Sequence, residues 1–292
     1  MEAQRTAAPQ LVIDGTEVLL PPGLSVDYTI HEEALADGVE GCELRLDEET
    51  AAWLGALKTK RRGSFRTLLQ RTLREYVSDF DANALLDMYP MFLLSRAQIG
   101  TLLHLQPDSR LTSALDVGAG SGDVTRALVP WCDRLVTTER SWGMARRLRK
   151  LGFECLRIDL AEAREALPGA PFQLISCFNV LDRSPKPASL LRAMRALLAP
   201  GGRLLLSVPL PYEPMFYAGA KTLDPLEALD VAGSEWSSCA LDLCARVLPA
   251  HGLRALRLSR APYLSGGDSR RAAYVLDTAV VVAEASGVAE PG

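Results

Sequence analysis

The sequence predicts an α/β fold, a mostly parallel sheet with helices on both faces, preceded by a mainly helical N-terminal extension. Three observations predict it. From Leu111 onward, short runs of strand-forming residues alternate with helical runs, the pattern of parallel strands joined by crossover helices. The first strand-like run leads into a glycine-rich loop, "ALDVGAGSGDVT", directly before a helical segment. Acidic residues stand at the ends of successive runs, Asp116, Glu139 and Asp159. Those are the strand ends beyond which open α/β sheets bind their ligands.

Residues 1–40 carry little periodicity, although "LVIDGTEVLL" predicts a hairpin turning at Asp14-Gly15. Helical spacing then runs from Asp47 to Val77 in two pieces, through Trp53, Leu54 and Leu57 and then Phe65, Leu68, Leu69 and Leu73. The charged link "KTKRRGS" separates them and reads as a solvated connection. A further helix is expected over Ser95–Leu105, with Ser95 as N-cap and Gln98 completing a capping box.

Five strand–helix units follow: "ALDVG" with 123–131, "RLVTTE" with 141–150, "ECLRID" with 160–167, "FQLISCFN" with 187–198 and "GRLLLSVP" with 235–250. "RALRLSRAPYL" and "AAYVLDTAVVVAEA" have no helix between them, so they are expected to pair antiparallel at one edge. This makes seven strands. Residues 1–87 are expected to form the extension, 88–285 the α/β domain, and 286–292 a frayed tail.

Composition narrows the function classes. An apolar content of 48% over 292 residues suffices for a large core, and a net charge of −4 gives no reason to expect nucleic acid as a partner. The six cysteines form no C-x-x-C pair, and His31, His104 and His251 are far apart, so no metal site is expected. Most cysteines sit among apolar residues, as reduced core thiols do. The first residues lack a basic stretch followed by an apolar run, and no window reaches the length of a membrane span. The expectation is a cytoplasmic protein with no membrane span.

In the loop, Gly118, Gly120 and Gly122 let the backbone turn tightly and approach a ligand closely. The dinucleotide pattern G-x-G-x-x-G needs glycine at the sixth position, where this chain has Asp123. A carboxylate there repels a pyrophosphate. Together with Asp116 it suits a ligand carrying cationic groups, such as the sulfonium and ammonium of S-adenosylmethionine. Glu139 stands where an acid can accept both ribose hydroxyls, and Asp159 where one can meet the adenine amino group. Taken singly, Glu139 and Asp159 are equally well read as helix N-caps; as an ordered set with Asp116 they favour an adenosine.

The loop pattern resembles class I methyltransferases, with a Rossmann-like sheet. "MYPMFLLSRAQ", "LDVGAGSGDVT", "TTERSWGM", "ISCFNVLDRSPKP", "APGGRLLLSVPLPYEP" and "RAPYLSGGD…YVLDTAVVV" together resemble the DREV family across nearly all of residues 88–283. That resemblance implies an S-adenosyl-L-methionine-dependent enzyme that methylates the pros nitrogen of histidine in protein substrates, typically in His-x-His segments. It departs from the family at its N-terminus, which carries no secretory-type segment, and at Ser121, where an acid is common; residues 1–87 match only loosely.

Asn179 and Asp182, in "FNVLDR", fall where the fourth strand ends. Both are good turn-capping residues, and a purely local role is an equal alternative from the sequence. The implied chemistry gives them more: Asp182 to hold one imidazole N–H and so fix the tautomer of the other nitrogen, Asn179 to orient the ring or the substrate backbone beside the cofactor. The resemblance places Tyr263 and Tyr274 nearby as walls or hydrogen-bond donors, against the alternative of ordinary strand aromatics. Tyr212 is a weaker candidate for the rim, Trp236 is expected to pack a helix, and Arg183 either pairs with Asp182 or is solvated. A small-molecule methyltransferase and a non-catalytic binding module are the competing functions. The intact acidic and glycine set argues against the latter.

Overall fold

The computed structural model of the chain describes residues 10–13, 16–19, 26–59, 90–163, 167–218, 221–266 and 273–287. The expected helix around Phe65–Val77, most of the "KTKRRGS" link and the Asp14-Gly15 turn lie outside those residues. On either side of that turn, β1 (Gln10–Ile13) and β2 (Thr16–Leu19) pair antiparallel, with Ile13 opposite Thr16.

β3 (Glu40–Gly41) and α1 (Glu48–Thr59) follow, then β4 (Met91–Phe92) and α2 (Arg96–Leu103). The capping box at α2 forms as its sequence predicts: the Ser95 hydroxyl accepts from the Gln98 N–H, and the Gln98 side chain accepts from the Ser95 N–H. The same cap ties α1 to α2. Asp47 accepts from Ser95 Oγ and, through its other oxygen, from the Thr50 N–H and hydroxyl at the start of α1, at 2.9 and 2.7 Å.

The parallel part comprises β5 (Ala114–Val117), β6 (Leu135–Thr138), β7 (Glu154–Leu156), β8 (Phe172–Phe178) and β9 (Leu198–Pro209). α3 (Trp142–Lys150) and α4 (Pro187–Leu197) are crossovers. β10 (Phe216–Ala218) and β11 (Lys221–Leu223) form a separate small hairpin. α5 (Trp236–Asp242) continues through a π-turn at Leu243–Val247 into α6 (Leu248–Ala250), and β12 (Leu253–Gly266) and β13 (Ala273–Ala285) close the domain.

The main sheet runs β3-β12-β13-β9-β8-β5-β6-β7, with β4 also paired to β12. Seven strands are those read from the sequence. The two extra ones, β3 and β4, are two residues each, too short to leave any alternation. The expected antiparallel hairpin of β12 and β13 forms, but it does not sit with a single antiparallel strand at the edge. β13 inserts between β12 and β9, antiparallel to both, so β12 lies outside it. The run "AVVVA" explains the position: Ala279, Val281 and Ala283 face one core and Val280 and Val282 the other, which only an interior strand can satisfy. β9 alternates the same way, with Leu204, Leu206 and Val208 on the α4–α5 side and Leu205 on the α2 side.

Two expected helices are shorter than the sequence suggests. Residues 123–131 form two 3-10 turns, Thr125–Ala127 and Val129–Trp131, because Pro130 has no N–H to continue an α-helix. The helix expected over 160–167 is a 3-10 turn at Leu160–Glu162 capped by Asp159, with 164–166 outside the described residues. Among the described residues no helix is long and apolar enough to cross a membrane, and no group of three or more His, Cys, Asp or Glu side chains is arranged to hold a metal.

Candidate active site

β5 and β8 are neighbours, Val117 lying opposite Cys177, while their next partners, β6 and β9, lie on opposite sides. The crevice between their carboxyl ends is the topological switch point of the sheet. Gly118 and Gly120 follow β5 with φ of +66° and +54°, a left-handed backbone that favours glycine. Gly118 is also a close approach: a Cβ there would lie 2.7 Å from Val180 Cγ2. The cofactor loop and the "NVLD" segment therefore touch.

Asp116 lies beneath the loop and is 2% exposed. Ser176 Oγ and Thr125 Oγ1 each donate to it at 2.6 Å, one to each oxygen. Burial pushes its pKa up to about 6 against the pull of those two hydroxyls, with the Glu139 charge adding to the rise. The sequence placed this charge at the ligand; the structure engages both oxygens inside the protein, so Asp116 supports the loop from below. Asp123 is likewise occupied, accepting from Ser121 Oγ at 2.9 Å and pairing with Arg147 at 3.6 Å, which offsets the charge expected to face the ligand.

Glu139, at the end of β6, accepts the Gly120 N–H at 2.9 Å and the Ser141 N–H at 2.8 Å. It thus pins the glycine loop to the next strand end. Burial raises its pKa, opposed by those backbone donors and by Arg140. With the Arg140 backbone N–H as a third donor, the carboxylate keeps one of its four lone-pair sites for a ligand hydroxyl. Replacing it with alanine removes charge-assisted bonds worth about 1.5–3 kcal/mol, so Glu139→Ala is expected to weaken S-adenosylmethionine binding about ten- to hundredfold by calorimetry. Asp159 caps its 3-10 turn through the Ala161 N–H at 3.1 Å and pairs with Arg140 at 3.4 Å, the local role the sequence left open.

Asn179 follows β8 with φ +53°, a conformation asparagine tolerates better than most residues. Its Oδ1 accepts from Ser207 Oγ at 2.6 Å, and its Nδ2 is buried with no hydrogen-bond partner. Three residues on, Asp182 is 2% exposed. Its Oδ2 pairs with Arg183 Nε at 3.1 Å, and its Oδ1 is also buried and unpartnered. Burial raises the Asp182 pKa to about 6, against the opposing pull of Arg183. Arg183 Nη1 is buried without a partner as well, so the segment after β8 leaves two donors and one acceptor for a ligand that offers their complements.

Tyr263, on β12, is half-buried and donates to Met91 Sδ at 2.9 Å. Burial, then the charges of Asp123, Asp182 and Asp116, raise its pKa, which places its hydroxyl within the field of all three carboxylates. Tyr274 stands opposite Ser265 on β13 and is 38% exposed, at the end of the hairpin next to the β12–β13 connection and on the same face as Tyr263. Tyr263 thus reaches Met91, and Tyr274 lies exposed at the hairpin end. Tyr212 donates to the Leu181 carbonyl at 3.3 Å, behind Asp182. Trp236 is buried against Arg260, whose guanidinium lies 4.9 Å from the ring centre, as a packing residue would be.

A cleft of about 540 Å³ opens beside the glycine loop, lined by Trp53, Met91, Phe92, Asp123, Val124 and Arg126 among others. Sequence reading missed Met91, Val180 and Ser207. Ser207 left a signal, a single hydroxyl inside the apolar run "LLLSVP".

Among solved structures, the chain is similar to the N-methyltransferase NodS from Bradyrhizobium japonicum WM9 in complex with S-adenosyl-L-homocysteine, at 17% identity over 60% of this chain and 79% of that one, TM-score 0.38. It is also similar to a DhpI–SAH complex, at 16% identity over 78% of this chain and 100% of that one, TM-score 0.44. Curated relatives include ubiquinone biosynthesis O-methyltransferases from Xylella fastidiosa (strain 9a5c), 34% identical over 98 residues, and from Neisseria meningitidis serogroup C, 26% identical over 111 residues. The matches span 32% and 34% of this chain, and only 40% and 45% of those relatives' own length. The model of the DREV methyltransferase family matches residues 28–285. The cofactor of this family is S-adenosylmethionine, and two features fit it: the close-approach cradle at Gly118 and the half-buried Glu139 carboxylate with a lone pair to spare. With a match from Tyr28 to Ala285, which covers most of the chain and reaches into the N-terminal extension, the chain belongs to the DREV methyltransferase family.

Proposed function

We propose that this protein transfers a methyl group from S-adenosylmethionine to the pros nitrogen of histidine in protein substrates carrying His-x-His segments. The observation that carries the reading is the pair of buried, unpartnered atoms, Asn179 Nδ2 and Asp182 Oδ1. A neutral imidazole attacks through a nitrogen lone pair, so its other nitrogen must hold the proton. Asp182 Oδ1 accepts that tele N–H, which leaves the pros lone pair free and stabilises the imidazolium as charge develops. Asn179 Nδ2 donates to a carbonyl or carboxylate beside the ring and borders the cofactor. S-adenosylmethionine supplies an activated methyl group at this switch point. Glu139 is assigned to the ribose hydroxyls, Gly118 and Gly120 to the close backbone approach, Asp116 to support of the loop, and Asp159 to the adenine edge. Tyr263 walls the imidazole side, and Tyr274 meets the peptide at the rim.

The proposal takes residues 88–285 as the methyltransferase domain, with 1–87 as an extension whose described part packs on it: Cys42 and Leu44 join the α2-side core, and Leu46 and Leu54 pack with Phe92. A cytoplasmic location suits its six free cysteines. A small-molecule acceptor is the second reading, favoured by the names of the partial relatives.

The experiment incubates the full chain with labelled S-adenosylmethionine and His-x-His peptides, then hydrolyses them and separates the methylhistidine isomers. Label in pros-methylhistidine is expected. Label only in tele-methylhistidine, or none in any peptide while a phenol or amine is labelled, overturns the proposal.

A further inference from the structure

Ser207 lies near the end of β9, completely buried, on the same face of the sheet as Leu205. It pairs in register with Phe178 of β8 on one side and Val280 of β13 on the other, so its backbone is fixed from both sides. Its hydroxyl makes two contacts, both with Asn179. It accepts from the Asn179 backbone N–H at 3.0 Å, and it lies 2.6 Å from Asn179 Oδ1. The Ser207 carbonyl accepts the same backbone N–H at 3.1 Å.

The two ends of an amide look alike in shape, and hydrogen-bonding decides which way it points. Here the proton of Ser207 decides it. Among the described residues Ser207 Oγ has hydrogen bonds to Asn179 alone, so with its oxygen accepting the backbone N–H its proton is satisfied only if the amide oxygen faces it. A separation of 2.6 Å is an O–H···O length, shorter than N–H···O bonds usually are. The amide oxygen therefore faces Ser207, and Nδ2 is turned away, buried and unpartnered.

We infer that Ser207 is a positioning residue that sets the polarity of the Asn179 amide and thereby makes the site select a hydrogen-bond acceptor, a peptide carbonyl or a carboxylate, at that point. The same two bonds hold Asn179 in its left-handed backbone conformation. Reversing the amide would turn Asn179 Oδ1, an acceptor, to where Nδ2 now points, and would remove one of the two buried donors, Asn179 Nδ2 and Arg183 Nη1, that the segment leaves without a partner.

The test has two arms. The first needs no substrate. In the wild-type protein with S-adenosylhomocysteine bound, the Asn179 side-chain amide protons, assigned by their loss in Asn179→Ala, should show no strong NOE to the Ser207 β-protons. A strong NOE means the amide is reversed and overturns the inference. The second arm is kinetic and rests on the proposed methyl transfer to histidine. Ser207→Ala should lower kcat about tenfold, with S-adenosylmethionine affinity within about threefold of wild type, and Ser207→Thr, which keeps the hydroxyl, should recover most of the loss. In an Asn179→Ala background, Ser207→Ala should change kcat less than about twofold, because its route runs through Asn179. Additive losses, or full activity in Ser207→Ala, overturn the inference. A wild-type protein that labels no histidine peptide defeats the histidine assignment alone and leaves the first arm to decide on Ser207.

Discussion

Asp182→Ala is expected to lower kcat on a His-x-His peptide at least about a hundredfold while leaving S-adenosylmethionine affinity within about threefold of wild type. A hundredfold corresponds to about 2.7 kcal/mol of barrier, within the range for one positioned proton acceptor. The split follows from geometry. Asp182 touches Arg183 and presents one open oxygen, whereas Gly120, Glu139 and Ser141 form a hydrogen-bonded unit that does not include it. Full activity in Asp182→Ala would reduce the residue to a turn element.

The pH profile gives the same assignment a second test. Burial raises the Asp182 pKa to about 6, so the carboxylate is the minority form below that pH and cannot accept the imidazole proton. The substrate imidazole, with an ordinary pKa of about 6.5, is itself protonated in the same range. Both groups must be deprotonated, so kcat/KM should fall as pH drops, with a log–log slope approaching about two below pH 6. In Asp182→Asn the residual activity should keep only the substrate's limb, a slope of about one. An unchanged slope of two in that variant would assign the second proton elsewhere.

What the sequence made legible follows from how each feature is encoded. Strands buried on both faces read as continuous apolar runs, so β8, β9 and β13 were visible, as was the α2 cap, which is a four-residue code. β3 and β4 were not, because two residues carry no period. Residue types put Glu139 and Asn179 at strand ends, where they stand, but residue type does not reveal where a side chain points. Asp116 turned inward to Ser176 and Thr125, partners 60 and nine residues away that no local pattern links to it. Asp123 found Arg147 and Met91 in the same way. The Ser207–Asn179 pair spans 28 residues between neighbouring strands, and only the sheet register brings it together.

Gly118→Ala tests the contact that joins the two halves of the site, and it is expected to weaken S-adenosylmethionine binding more than tenfold in a protein that remains folded by circular dichroism. Two costs combine. An alanine at φ +66° occupies the left-handed region at about 1–2 kcal/mol. Its Cβ would also lie 2.7 Å from Val180 Cγ2 and 3.1 Å from Cγ1, closer than carbon atoms approach, so the loop or the "NVLD" segment must move. Movement of the loop reaches Gly120 and its bond to Glu139; movement of Val180 reaches its neighbours Asn179 and Asp182. Both cofactor affinity and kcat should therefore fall, unlike the split expected for Asp182. The two costs can be separated, because Val180→Ala removes both methyl groups that the new Cβ meets and leaves the backbone strain untouched. The double variant Gly118→Ala/Val180→Ala should recover about tenfold of the lost affinity, provided Val180→Ala alone changes it less than about threefold. If the second substitution recovers nothing, backbone conformation alone makes glycine necessary at this position, and the loop and the "NVLD" segment are neighbours without mechanical coupling.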